Sequence, residues 1–138
     1  MNEVFLDTSY AIALSSEVDR HHQKAVAISE ALEKNKSKII TTRAILLEVG
    51  NFLSKARYRQ AAVVLLDSIE FDANVEIVEI SKDLYEKAFV LFKSRDDKDW
   101  GLIDCLSFIV MKERDLTDAL TADEHFRQAG FRVLLKEE

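Results

Sequence analysis

The chain has 138 residues, 48% of them hydrophobic and 32% charged, with a formal net charge of −6 from 19 Lys and Arg against 25 Asp and Glu. One domain with a real core fits that length and two ordinary domains do not. The composition excludes a disordered chain, and the longest apolar run, Leu106 to Met111 with Ser107 inside it, falls far short of the about 20 residues a bilayer requires, so no membrane partner is expected.

No basic leader follows Met1, and the single cysteine, Cys105, has no second cysteine to pair with, so a reducing, cytoplasmic setting is expected. The acidic balance argues against a surface built to neutralise phosphates. Two bound divalent cations would offset four of those charges and would themselves attract phosphate.

The sequence contains no proline and only three glycines, Gly50, Gly101 and Gly130, so helices can run uninterrupted. Glu3 to Leu6 reads as a buried strand stopped by Asp7-Thr8-Ser9, and Tyr10 to Leu14 as a short apolar helix. Ala25, Ile28, Ala31 and Leu32 give the segment from Arg20 to Asn35 helical spacing. Lys38 to Thr41 is a short strand and Thr42 to Ala56 a helix, with Arg59 to Phe71 a second helix folded back on it. Val75 to Ile80 is a β-branched strand, and Ser81 caps a helix that runs to Arg95. After the polar loop Asp96 to Asp99 come a helix from Leu102 to Arg114 and a strand over Ala119-Leu120-Thr121. A short helix from Asp123 to Ala129, ended by Gly130, and a strand from Phe131 to Leu135 close the chain. Alternating strands and helices imply one α/β domain over residues 1–138 with a parallel sheet, whose ligands sit beyond the strands' carboxyl ends.

Four acids stand out. Asp104 is the only ionisable group in the apolar helix segment Leu102 to Met111, where a lone carboxylate costs several kcal/mol or more. It caps the helix start, pairs with a basic residue, or binds a metal. Glu48 sits at the edge of the buried stripe of its helix, where a solvated glutamate is the ordinary outcome. Asp7 and Asp123 follow buried strands. Either could serve a helix start: Thr121 and Glu124 have capping-box spacing, which would leave Asp123 a first-turn acid. Together, however, two acids at strand ends and two on helices opening near the same edge can converge. Four converging carboxylates repel one another unless hard cations such as Mg²⁺ or Mn²⁺ sit among them. Cysteine and histidine at zinc spacing are absent. Phosphodiester hydrolysis is the chemistry suited to such a site.

With these residues in place, the sequence resembles the PIN-domain nucleases, in particular the VapC-type toxins of toxin–antitoxin pairs. The resemblance is carried by Val4-Phe5-Leu6-Asp7-Thr8-Ser9, by Thr42 to Glu48, by Asp99-Trp100-Gly101-Leu102-Ile103-Asp104 with Cys105 to Phe108, and by Leu120-Thr121-Ala122-Asp123-Glu124-His125-Phe126. It implies a three-layer α/β/α fold with about five parallel strands, a Mg²⁺ or Mn²⁺ site, and RNA as substrate. It also implies a cognate antitoxin as partner, with a homodimer among the expected states. Asp7, Glu48, Asp104 and Asp123 become the metal-binding, catalytic quartet. Thr8 or Ser9, with Thr121, would be hydroxyls that hold the carboxylates or a metal-bound water. Asp99 matches the acid that often precedes the third motif, and its alternative is a cap for the following helix.

The other polar residues have ordinary readings. Cys105 is core packing, His21 and His22 are solvated, and His125 points off a short surface helix. Lys55, Arg57 and Arg59, with Lys93, Arg95 and Lys98, form either an RNA track or solvated helix ends. A phosphatase of the haloacid-dehalogenase type would place a second Asp where Ser9 stands, which disfavours that class. A catalytically silent PIN-like scaffold module is the remaining alternative.

Overall fold

The structure is a computed structural model that describes residues 2–137. Five parallel strands form its sheet: β1 (Glu3–Leu6), β2 (Lys38–Thr42), β3 (Val75–Val78), β4 (Asp118–Leu120) and β5 (Arg132–Val133), in the spatial order β3-β2-β1-β4-β5. Val4, Phe5 and Leu6 are consecutive and all buried, the signature of a central strand covered on both faces. β1 sets Phe5 opposite Ile40 of β2 and opposite Ala119 of β4. From β1 the chain winds outward through β2 to β3, then crosses back over to β4 and β5. The winding reverses between β1 and β4, and the carboxyl ends of those two strands flank the crevice this creates.

Seven helices fill the connections among the described residues: α1 (Thr8–Ser15), α2 (His22–Lys34), α3 (Arg43–Phe52), α4 (Arg59–Phe71), α5 (Lys82–Ser94), α6 (Leu102–Glu113) and α7 (Glu124–Gln128). α1 packs on α2, α3 and α4, while α6 packs on α5 and α7. Crossovers between parallel strands are right-handed as a rule, which sets these two groups on opposite faces in an α/β/α sandwich. Beneath α6 and α7 lies an aromatic cluster. Phe108 meets Phe126 edge-on at 5.0 Å and Trp100 edge-on at 5.0 Å, and Phe126 lies 6.2 Å from Phe5 of the central strand. Trp100 Nε1 also donates to Gln128 Oε1 at 3.0 Å, tying the approach to α6 to the end of α7.

Several boundaries differ from the sequence reading. The helix expected from Thr42 to Ala56 begins at Arg43, with the Thr42 hydroxyl accepting from Ile45 N as its cap, and ends at Phe52; a 3₁₀ turn occupies Ala56–Tyr58. α1 is longer than Tyr10 to Leu14 because it starts directly after the Asp7 corner. β3 stops at Val78 rather than Ile80. The expected strand Phe131 to Leu135 is two residues long: Leu135 N donates to Thr121 O, and the chain curls into a 3₁₀ turn over Leu134–Lys136.

Candidate active site

Asp7 is the residue at which β1 ends and α1 begins. Its backbone N–H donates to Leu120 O of β4 at 3.1 Å, so strand pairing between β1 and β4 continues to the acid itself. The side chain is 5% exposed and held by hydroxyls. Thr121, fully buried just past β4, donates from Oγ1 to Asp7 Oδ2 at 2.6 Å. Ser9 Oγ lies 3.0 Å from Thr121 Oγ1 and 3.5 Å from Asp7 Oδ2. Backbone donors complete the set, Ala122 N to Ser9 Oγ at 2.9 Å and Asp123 N to Thr121 Oγ1 at 3.0 Å. Each hydroxyl thus accepts one backbone proton, and the proton of Thr121 goes to the carboxylate.

The other acids approach from helices. Glu48, in the second turn of α3, accepts from Thr8 Oγ1 at 2.5 Å, which joins it to the corner that carries Asp7. Asp104 lies in the first turn of α6, where Oδ2 accepts from Gly101 N at 3.0 Å. Asp123 is the N-cap of α7, with Oδ1 accepting from His125 N at 2.8 Å. That replaces the expected capping box from Thr121 to Glu124: Thr121 serves Asp7, and Asp123 does the capping.

Burial dominates the electrostatics of the two innermost acids, and neighbouring carboxylates add to it. Burial raises the Asp7 carboxyl from 3.8 to about 7; the Thr121 hydroxyl and Thr8 N–H work against that rise, and the charges of Glu48 and Asp104 add to it. Asp104 is likewise raised, first by burial and also by Asp123, while Gly101 N–H and His125 oppose the rise. Glu48 and Asp104 thus act on Asp7, and Asp123 acts on Asp104. Such a donor set fits a hard divalent cation, which relieves both the burial and the repulsion. It does not fit a soft metal: Cys105 is buried, and burial together with Asp104 pushes its thiol up, which keeps it protonated.

His125 is the residue whose position the sequence reading missed. It does not point off the surface; its Nδ1 lies 2.9 Å from Asp104 Oδ2 and 3.5 Å from Asp123 Oδ1. The signal was available in the chain. When an acid caps a helix through the N–H two residues on, the side chain bearing that N–H stays beside the cap. Asp104 therefore does have a basic partner, an imidazole rather than a Lys or Arg. Asp99, in contrast, is exposed and has no bond to the quartet among the described residues, and Gly101 rather than Asp99 caps α6. Of the basic residues, Arg95 pairs with Asp97 at 2.9 Å and stacks on Trp100, Lys93 lies over Phe89, and Arg57 lies over Tyr58. A cavity of about 330 Å³, bounded by Leu14, Leu32, Ile69 and Val75 among others, is lined by none of the four acids.

A doubly wound α/β/α domain with an acid cluster at its switch point is the class these features define. A family model described as the PIN domain matches residues 4–132, and the chain belongs to that family. It is 28% identical over 129 residues to the 23S rRNA-specific endonuclease VapC20 of Mycobacterium tuberculosis, found in two strains, covering 93% of this chain and 95% of that one. The crystal structure of VapC20, described as a Sarcin-Ricin loop cleaving toxin, is similar at a TM-score of 0.81 and 27% identity, covering 94% of this chain and 96% of the other. VapBC2 from Rickettsia felis, crystallised with a DNA fragment from its promoter, shares the fold at a TM-score of 0.67 and 19% identity, over 95% and 96% of the two chains.

Proposed function

We propose that this protein is a cytoplasmic, Mg²⁺- or Mn²⁺-dependent endoribonuclease, the toxin of a toxin–antitoxin pair, and that Asp7, Glu48, Asp104 and Asp123 hold its metal. The observation that carries this reading is the set of acids at the crevice between β1 and β4. Asp104 and Asp123 offer ligand atoms that lie, with one from His125, within 4.8 Å of one another. The charges of Glu48 and Asp104 act on the buried Asp7, which is raised to about 7 chiefly by burial. The likeness to VapC20 along nearly the whole chain supports RNA as the substrate class, with a structured ribosomal RNA loop the first one to try.

A divalent ion held by the quartet supplies acidity to a coordinated water and offsets charge that builds on the phosphate during hydrolysis. The protein's own part is to hold the acids ready. Thr121 and Ser9 fix the Asp7 carboxylate at the end of β1. Thr8 fixes Glu48, and Gly101 N–H fixes Asp104. Because Thr121 also accepts from Asp123 N, one buried hydroxyl sets the relative placement of two of the acids. Lys55, Arg57 and Arg59, exposed past the end of α3, supply positive charge for the RNA backbone.

An antitoxin partner is supported by apolar surface that the fold leaves uncovered. Leu47 and Phe52 on α3 and Val63, Val64 and Phe71 on α4 are 50% to 83% exposed, apolar side chains on two helices packed against each other, which a partner would cover. The scaffold alternative predicts the same surface but no turnover. Incubating the protein with ribosomal RNA, in Mg²⁺ or Mn²⁺ and in excess chelator, separates the two. Discrete fragments that appear only with metal support the nuclease, and intact RNA under every condition supports the scaffold.

A further inference from the structure

The four acids make an all-oxygen site, yet one nitrogen lies among them. His125 Nδ1 is 2.9 Å from Asp104 Oδ2 and 3.5 Å from Asp123 Oδ1. One ligand atom from each of Asp104, Asp123 and His125 falls within 4.8 Å of the other two. Around an octahedral ion with bonds of about 2.1 Å, adjacent ligand atoms stand about 3.0 Å apart and opposite ones about 4.2 Å apart. The shorter His125 separation, which is also that of a hydrogen bond, matches adjacent ligands, and the longer falls between adjacent and opposite ones.

The imidazole is also held where it is. The backbone N–H of His125 is bonded to Asp123, and the next residue, Phe126, is fully buried against Phe5 and Phe108. The end of the same helix is tied to Trp100 through Gln128. The side chain keeps 30% of its exposure, so the ring sits at the rim of the site, neither sealed in the core nor free in solvent.

We propose that His125 is a ligand of the active-site metal through Nδ1, alongside Asp104 and Asp123, and that it makes the site prefer Mn²⁺ to Mg²⁺. The inference rests on the quartet being a metal site. With its ring proton on Nε2, the imidazole presents a lone pair at Nδ1. Mg²⁺ is a hard ion that favours oxygen ligands and gains little from such a donor, whereas imidazole nitrogen suits transition-metal ions better.

The test is Mn²⁺ titrated into the metal-free protein, read by electron spin-echo spectroscopy of the bound ion and by thermal melting in Mn²⁺ and in Mg²⁺. Wild type should show ¹⁴N modulation of the bound Mn²⁺, and His125→Ala and His125→Phe should lack it. The ratio of Mn²⁺ to Mg²⁺ affinity should fall about tenfold in both variants, the scale on which loss of a supporting group acts at a metal site. Wild-type Mn²⁺ bound without nitrogen modulation, or variants with an unchanged affinity ratio, would overturn the assignment and leave the nuclease reading standing. No binding of either ion by wild type would overturn the quartet as a metal site, and this proposal with it. Because the decisive spectrum is that of wild type, poor folding of a variant does not shield the idea.

Discussion

Replacing Asp7 by Asn separates a metal ligand from a structural carboxylate without any substrate. The displacement of its carboxyl from 3.8 to about 7 corresponds to roughly 4 kcal/mol, at about 1.4 kcal/mol for each tenfold change in proton affinity. The folded-state value lies above the unfolded one, so the native protein favours the protonated form and ionisation opposes folding. The cost is absent below about pH 4, grows as pH rises toward 7, and is complete above that. Asn is neutral throughout and keeps an oxygen to accept from Thr121, but its amide N–H groups lack partners, which offsets part of the gain. In chelator at pH 8, Asp7→Asn should therefore be more stable than wild type by about 1–4 kcal/mol, a rise in Tm of roughly 3–15 °C. At pH 4.5 the two should melt close together. Millimolar Mn²⁺ should reverse the order at pH 8, because an ion at about 100 times its dissociation constant stabilises wild type by roughly 2.7 kcal/mol. Calorimetry at two pH values, with and without metal, reads all of this. A variant that melts well below wild type in chelator at pH 8, with no response of wild type to metal, would show that Asp7 is a structural residue.

Thr121→Val removes the hydroxyl that donates to Asp7 and accepts from Asp123 N, and should lower Mn²⁺ affinity by about ten- to a hundredfold, measured by isothermal titration. An affinity within twofold of wild type would show that Asp7 is placed without it. Phe108→Ala opens a cavity where Trp100, Phe126 and Phe131 meet, and should cost about 3–5 kcal/mol in denaturant unfolding; a cost below 1 kcal/mol would mean the cluster is not tightly packed. Expression of wild type in a bacterial host should slow growth, and Asp104→Asn at equal soluble protein should not. Equal growth would favour the scaffold.

What could be seen in the sequence follows from how locally each feature is determined. β1 was plain because a central strand is apolar on both faces, and its end was plain because Asp7 breaks the run. The same rule located β4, read over Ala119 to Thr121 and observed one residue earlier, over Asp118–Leu120. The end of α3 was not legible. The apolar pattern continues past Phe52, and no glycine or proline marks the stop, yet Leu53 leaves helical geometry as its C-cap while remaining buried. The last strand was misjudged for a tertiary reason: Leu135 bonds to Thr121 O, a partner the local run Phe131 to Leu135 cannot reveal. His125 was misplaced because helical periodicity alone assigns a five-residue helix no inner face, whereas the Asp123 cap draws the ring toward Asp104.

Cleavage of RNA by purified protein, with wild type and Asp104→Asn compared in Mn²⁺ and in EDTA, tests the metal-dependent nuclease most directly. Discrete fragments from wild type in Mn²⁺ alone, and a rate lower by orders of magnitude in a variant whose circular dichroism matches wild type, are the predicted outcome. Cleavage that persists in EDTA, or at wild-type rate in Asp104→Asn, would contradict it.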